Sequence, residues 1–149
     1  VPDAHDAVTS NAGWDTVENR EFLTDICKEF KSKGIRTSIF IDPDPEMAEG
    51  AAICGSDRVE LYTADYALYY PADPRKAIAD YYRTAKVVRE CGLGLNAGHD
   101  LSLENLEYFI REIPWTDEVS IGHAIICDAL YMGLEQTIKA YLEKVKIFE

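Results

Sequence analysis

A chain of 149 residues falls within single-domain size and can bury a core of its own. Hydrophobic residues at 47% and charged residues at 28% give an ordinary globular composition. The net charge of −12 leaves no basic footprint for nucleic acid, although a small anion can still bind where the surface is locally positive. Cys27, Cys54, Cys91 and Cys127 are widely spaced without a Cys-x-x-Cys pair, which predicts reduced, mostly buried thiols in a cytoplasmic protein. Neither a signal peptide nor an apolar run of about 18 residues is legible, so membrane insertion is not expected.

Residues 1–15 read as a loop. It opens on Val1-Pro2-Asp3 without an initiator methionine, like the tail of a strand begun upstream. Asp15 and Glu18 make a capping-box pattern for a helix to about Lys33, with Phe22, Leu23, Ile26 and Phe30 at helical spacing and Gly34 as its stop. Residues 35–42 form a strand, and the unbroken Ile39-Phe40-Ile41 run fits one covered on both faces. Asp44 and Pro45 then open a short helix ending near Gly55. Arg58 to Thr63 is the next strand, with Glu60 inside it, and a tyrosine-rich loop follows to Pro71. Asp73-Pro74 starts a longer helix with Ile78, Tyr82, Ala85 and Val88 on one side, closed by Gly92. A third strand climbs from Leu93 to a Gly98-His99 end. Ser102 opens a helix carrying Leu103, Leu106, Ile110 and Ile113, which Pro114 stops. Val119 to Ile121 is the last strand and ends in Gly122-His123. Ile126, Leu130, Leu134, Ile138 and Leu142 mark a final helix, with a bend expected at Gly133.

Strands alternating with helices over short connections imply a parallel sheet, either doubly wound or part of a (β/α) barrel. No Gly-x-Gly-x-x-Gly follows the first strand, which disfavours a dinucleotide-binding sheet. A complete (β/α)₈ barrel needs about 250 residues. The expectation is therefore an α/β fold of the TIM-barrel type, with residues 1–149 as one domain holding about half a barrel.

In such a barrel the chemistry lies where strands end and helices begin. His99 sits there, as an imidazole able to give or take a proton near neutral pH. The alternative is a buried histidine that only makes structural hydrogen bonds. Gly122-His123 joins a strand to a helix, where exposed backbone N–H groups and the helix dipole favour an anion such as phosphate. A plain strand-to-helix turn remains open there. Glu60, in mid-strand, either enters the barrel mouth as an acid, base or electrostatic stabiliser, or pairs with a cation. Asp42 reads as a turn former and the tyrosines as packing residues. Three histidines without ligand spacing predict no metal site.

Ile39-Phe40-Ile41-Asp42-Pro43-Asp44, Val59-Glu60-Leu61-Tyr62-Thr63, Asn96-Ala97-Gly98-His99-Asp100-Leu101 and Ser120-Ile121-Gly122-His123-Ala124-Ile125-Ile126 together resemble the pyridoxine 5′-phosphate synthase family, and imply for this half-barrel that it is the C-terminal half. Val1-Pro2-Asp3, Val8-Thr9-Ser10 and Gly13 belong to the same pattern. The resemblance covers the whole chain in order, and matches that family from the end of its fourth barrel strand onward. It implies a (β/α)₈ barrel with extra helices, assembled as a cytoplasmic homo-octamer. The implied reaction condenses 3-amino-2-oxopropyl phosphate with 1-deoxy-D-xylulose 5-phosphate to pyridoxine 5′-phosphate, phosphate and water, in vitamin B6 biosynthesis, with no cofactor.

By this resemblance His99 is the proton-donating catalytic residue and Glu60 the carboxylate that stabilises the transition state. Thr9, Asp100, Gly122 and His123 are substrate contacts, the last two holding phosphate. Relatives often carry glycine at position 100, so Asp100 is expected to act through its backbone N–H. The family's other catalytic His and Glu, with its Asn, Asp-His and Arg contacts, belong to the first four βα units and have no counterpart here. An isolated chain is therefore expected to be inactive. The competing reading is a non-catalytic half-barrel that binds phosphorylated ligands. An aldolase-type barrel is disfavoured because no lysine ends a strand.

Overall fold

The expected strands assemble into one parallel sheet in a computed structural model, which describes residues 1–146. They are β1 (Ser38–Ile41), β2 (Arg58–Tyr62), β3 (Gly94–Gly98) and β4 (Glu118–Ser120), lying side by side in chain order. The helices are α1 (Arg20–Ser32), α2 (Pro45–Ile53), α3 (Ala64–Tyr69), α4 (Pro74–Glu90), α5 (Leu106–Glu112), α6 (His123–Met132) and α7 (Leu134–Val145). Because parallel crossovers are right-handed, strands that always step the same way place their helices on one face. A doubly wound sheet reverses its strand order, and this one does not. The architecture is thus α/β with a parallel sheet compatible with part of a (β/α) barrel.

Side chains alternate across that sheet. Ile39, Ile41, Val59, Leu61, Leu95 and Ala97 are buried under the helices and form the core with Tyr66, Val88, Leu106 and Phe109. The other face is largely polar. Phe40, Glu60, Asn96 and Glu118 stand in register across it, and Tyr62, Gly98 and Ser120 form the next row. Arg58 Nη1 donates to Asn96 Oδ1 at 3.0 Å, Asn96 Nδ2 to Glu118 Oε2 at 3.0 Å, and Arg36 contacts both oxygens of Glu118. Aspartates staple the strand starts: Asp57 accepts from Thr37 N and Asp117 from Leu95 N, each at 2.8 Å.

Several local expectations change. Asp15 does cap, accepting from Val17 N and Glu18 N, but it caps a turn and α1 begins at Arg20. The first strand begins at Ser38 rather than residue 35. The tyrosine-rich stretch contains α3, because Tyr66 is buried among Tyr70, Tyr81 and Phe109. Tyr81, not Tyr82, faces the core from α4, while Tyr82 is exposed against Trp115. Ser102 starts a turn, and α5 follows only at Leu106. The final helix breaks at Gly133, whose φ of 79° and ψ of 146° are not helical. Cys27 and Cys54 are buried as expected, whereas Cys91 and Cys127 are exposed.

The apolar stripes of the first and last helices are only partly covered. Phe22, Ile26 and Phe30 on α1 are exposed, as are Ile126, Leu130, Leu134, Ile138 and Leu142 on α6 and α7. These helices flank the two outer strands, β1 and β4. Among the described residues no helix is long and apolar enough to cross a membrane.

Candidate active site

An open cleft of ≈ 700 Å³ lies over the polar face of the sheet, at the C-terminal ends of the strands. Thr9, Glu60, His99, Asp100, Gly122 and His123 all line it. The sheet brings them together from segments far apart in sequence.

Glu60 points from the middle of β2 into this cleft and finds its room at Gly98. A Cβ added at Gly98 would lie 2.2 Å from Glu60 Oε1 and 3.1 Å from the Ser120 Cβ, so the carboxylate occupies the space a side chain would need. Burial pushes the Glu60 pKa up, a hydrogen bond from Ser120 works against that, and the Glu118 charge adds to the rise. The result is a carboxyl held towards its protonated form, which suits acid–base work.

His99 is the first residue beyond β3. It adopts φ 88° and Asp100 adopts φ 57°, two consecutive non-glycine residues in the left-handed region. Such residues cost roughly 1–3 kcal/mol each and persist only when their surroundings over-determine them. His99 Nε2 lies 3.0 Å from Thr9 Oγ1, and the Tyr62 ring meets the imidazole edge-on at 4.9 Å between centroids. Nδ1 is buried without a hydrogen-bond partner among the described residues. Asp100 Oδ2 lies 3.2 Å from it, within ion-pair distance yet outside hydrogen-bond geometry. Asp100 therefore brings its half-exposed carboxylate to the histidine.

Gly122 precedes α6 with φ −103° and ψ −92°, and no side chain caps the helix. A Cβ there would meet nothing within 4 Å. His123 is the first helical residue and is exposed. The uncapped start of α6 thus borders the cleft, where a helix N-terminus attracts anions. Among the described residues no Lys or Arg lines the cleft.

A family model described as "Pyridoxal phosphate biosynthesis protein PdxJ" matches residues 1–147. The chain belongs to this family. It is 60% identical over 141 residues to a pyridoxine 5′-phosphate synthase of Bacteroides thetaiotaomicron, covering 95% of this chain and 60% of that one. The enzyme of the same name from Phocaeicola vulgatus is 62% identical over 141 residues, covering 95% and 59%. That of Christiangramia forsetii is 55% identical over 146 residues, covering 98% and 62%. The chain spans about 60% of the length of the curated relatives it matches.

Around the cleft of this PdxJ-family chain stand residues that sequence reasoning passed over. Tyr62 donates its hydroxyl to Ser10 O at 3.3 Å and so ties the Thr9 loop to β2. Ser120 faces Glu60, and Gly98 makes the carboxylate slot. Thr63 and Asn105 bind the backbone beneath His99. Period-2 alternation from Glu60 leads to Tyr62, and the pairing of neighbouring strands leads on to Gly98 and Ser120. Asn105 carried no signal, because its partner is a turn carbonyl. Asp42 bends the chain as expected, and its carboxylate also anchors the N-terminal loop by accepting from Gly13 N at 3.2 Å.

Proposed function

We propose that residues 1–149 are one domain, the C-terminal half of a pyridoxine 5′-phosphate synthase barrel. In this reading the complete barrel condenses 3-amino-2-oxopropyl phosphate with 1-deoxy-D-xylulose 5-phosphate. The products are pyridoxine 5′-phosphate, inorganic phosphate and water. The observation that carries it is the shared cleft of Glu60, His99, Gly122 and His123 in a chain of the PdxJ family.

The chemistry asked of the site is a series of proton transfers: Schiff-base formation and dehydration, loss of phosphate, then ring closure. His99 donates protons, since its Nε2 lies beside the Thr9 hydroxyl at the cleft and its Nδ1 has no competing hydrogen bond among the described residues. Glu60, held towards its protonated form by burial, stabilises charge as it develops. Thr9 and Asp100 contact substrate beside His99. Gly122 and His123 hold a phosphate at the start of α6. The reaction needs no cofactor, and by the same resemblance the enzyme works in the cytoplasm as a homo-octamer.

Turnover in this reading needs about four further βα units, which supply the remaining catalytic groups and the cationic phosphate contacts that the cleft lacks. The half-covered apolar stripes of α1, α6 and α7 beside the outer strands suit such additional units. The test is to assay the chain with both substrates, alone and joined to the N-terminal units that this reading requires. Turnover only in the completed enzyme supports the proposal. Turnover by the isolated chain refutes the half-site reading. A completed enzyme that binds phosphate without turnover leaves the phosphorylated-ligand binder instead.

A further inference from the structure

Three consecutive carbonyls at the end of β3 are each held by a buried residue. Gly98 O accepts from Thr63 N at 2.9 Å, and the Thr63 hydroxyl, 2.7 Å from Gly98 O and 2.5 Å from His99 O, has its single proton free for His99 O. Asn105 Nδ2 donates to Asp100 O at 3.1 Å, while Asn105 Oδ1 accepts from Ser102 N at 2.9 Å. Thr63 is 0% exposed and Asn105 5%. Neither lines the cleft.

The support runs deeper than these two groups. Tyr66, fully buried, donates its hydroxyl to Asn105 O at 2.6 Å. The Tyr66 N–H donates to the Tyr81 hydroxyl at 3.1 Å, and that hydroxyl donates to Tyr62 O at 2.9 Å. The Asp100 carbonyl is thereby linked through buried polar groups to the end of β2, where the Tyr62 ring meets the His99 imidazole. The segment so anchored is the pair of left-handed residues, His99 and Asp100. Without these hydrogen bonds a non-glycine pair relaxes to the extended or right-handed region, and that rotation about φ carries the imidazole off the cleft.

We propose that Thr63 and Asn105 are positioning residues for His99, their side chains clamping the carbonyls of His99 and Asp100 so that a strained backbone presents the imidazole to substrate. The proposal rests on the reading of His99 as the proton donor. It assigns Thr63 and Asn105 no contact with substrate. Their effect passes through the geometry of one side chain, where small misplacements are costly.

The test compares T63V, which keeps the volume and loses the hydroxyl, with T63S, which keeps the hydroxyl, and with N105A. Isotope-labelled chains give the HN–Hα couplings of residues 99 and 100, which report φ, and the carbonyl shifts of residues 98–100. The completed enzyme gives kcat and KM. T63V is expected to alter those couplings and shifts and to lower kcat by at least about tenfold, with KM within about twofold. T63S restores both. N105A alters the signals at Asp100 and carries the test where T63V does not fold. A folded T63V or N105A with unchanged couplings and kcat within about twofold overturns the proposal, as does a folded T63S that loses both. H99N separates the two readings: full turnover in H99N sinks the role of His99, whereas an inactive H99N beside a fully active T63V sinks only the clamp.

Discussion

The ends of β3 and β4 look alike in sequence, each a Gly-His before a helix, and the structure builds them in opposite ways. At β3, Gly98 is glycine because the Glu60 carboxylate takes the place of its side chain. His99 is fixed by a left-handed backbone and by Thr63 beneath it. At β4, Gly122 has open space around it, His123 is exposed, and no residue of α6 is buried. One end is assembled before any ligand arrives. The other is an uncapped helix start, the place we propose for a phosphate. Acid–base chemistry needs the first kind of site, because a proton donor works only at a defined distance. Holding a charged phosphate needs little more than uncapped donors and room.

The sharpest way to break this contrast is G98A. The new Cβ would collide with Glu60 Oε1, the free end of a flexible side chain, so the carboxylate swings away and the backbone stays put. Activity of the completed enzyme is expected to fall about 100-fold while stability changes by no more than about 1 kcal/mol. Steady-state kinetics beside thermal unfolding decides it. Wild-type turnover in G98A means the carboxylate slot has no bearing on the reaction.

At β4 the corresponding change is H123A. Removing an exposed imidazole should move stability by less than about 0.5 kcal/mol. Affinity for inorganic phosphate should weaken about tenfold, the scale of one hydrogen bond to a charged group. Following the amides of residues 122–124 during a phosphate titration gives both the affinity and the place of binding. Phosphate that shifts other amides, or binds H123A as tightly, removes the assignment of this end.

The contrast also explains what could be read from the sequence. Short apolar runs bounded by capping residues place the strands, whose Ile39, Val59, Leu61 and Leu95 are buried in the core. The parallel order followed from short βα connections. The same periodicity misplaced Tyr82, since a neighbouring aromatic, Trp115, gave it a surface partner and left the core to Tyr81. It also missed α3, whose tyrosines form a buried cluster that no short-range pattern encodes. In the cleft, residue types with chemistry of their own were legible, as Glu60 and His99 were. Thr63 and Asn105 were not, because a hydrogen bond to a carbonyl 35 residues or five residues away leaves no spacing rule.

The smallest expected effect concerns Glu60 and pH. Burial raises its pKa in the folded chain above the usual glutamate value, chiefly by desolvation and against the Ser120 hydrogen bond. Between those two values the folded state keeps a proton that the unfolded state has released, so stability falls as pH rises through that window. Below it both states are protonated and no penalty exists; above it both are ionised and the penalty is complete. E60Q cannot ionise, yet its amide oxygen still accepts from Ser120. The difference in unfolding free energy between E60Q and the parent should therefore grow in favour of E60Q across the window and level off above it. Chemical denaturation at several pH values measures that difference directly and cancels every group the two proteins share. A difference that stays flat, or runs the other way, means that Glu60 is solvated or paired in the folded chain. In that case the β3 end loses the preset carboxyl that distinguishes it from β4.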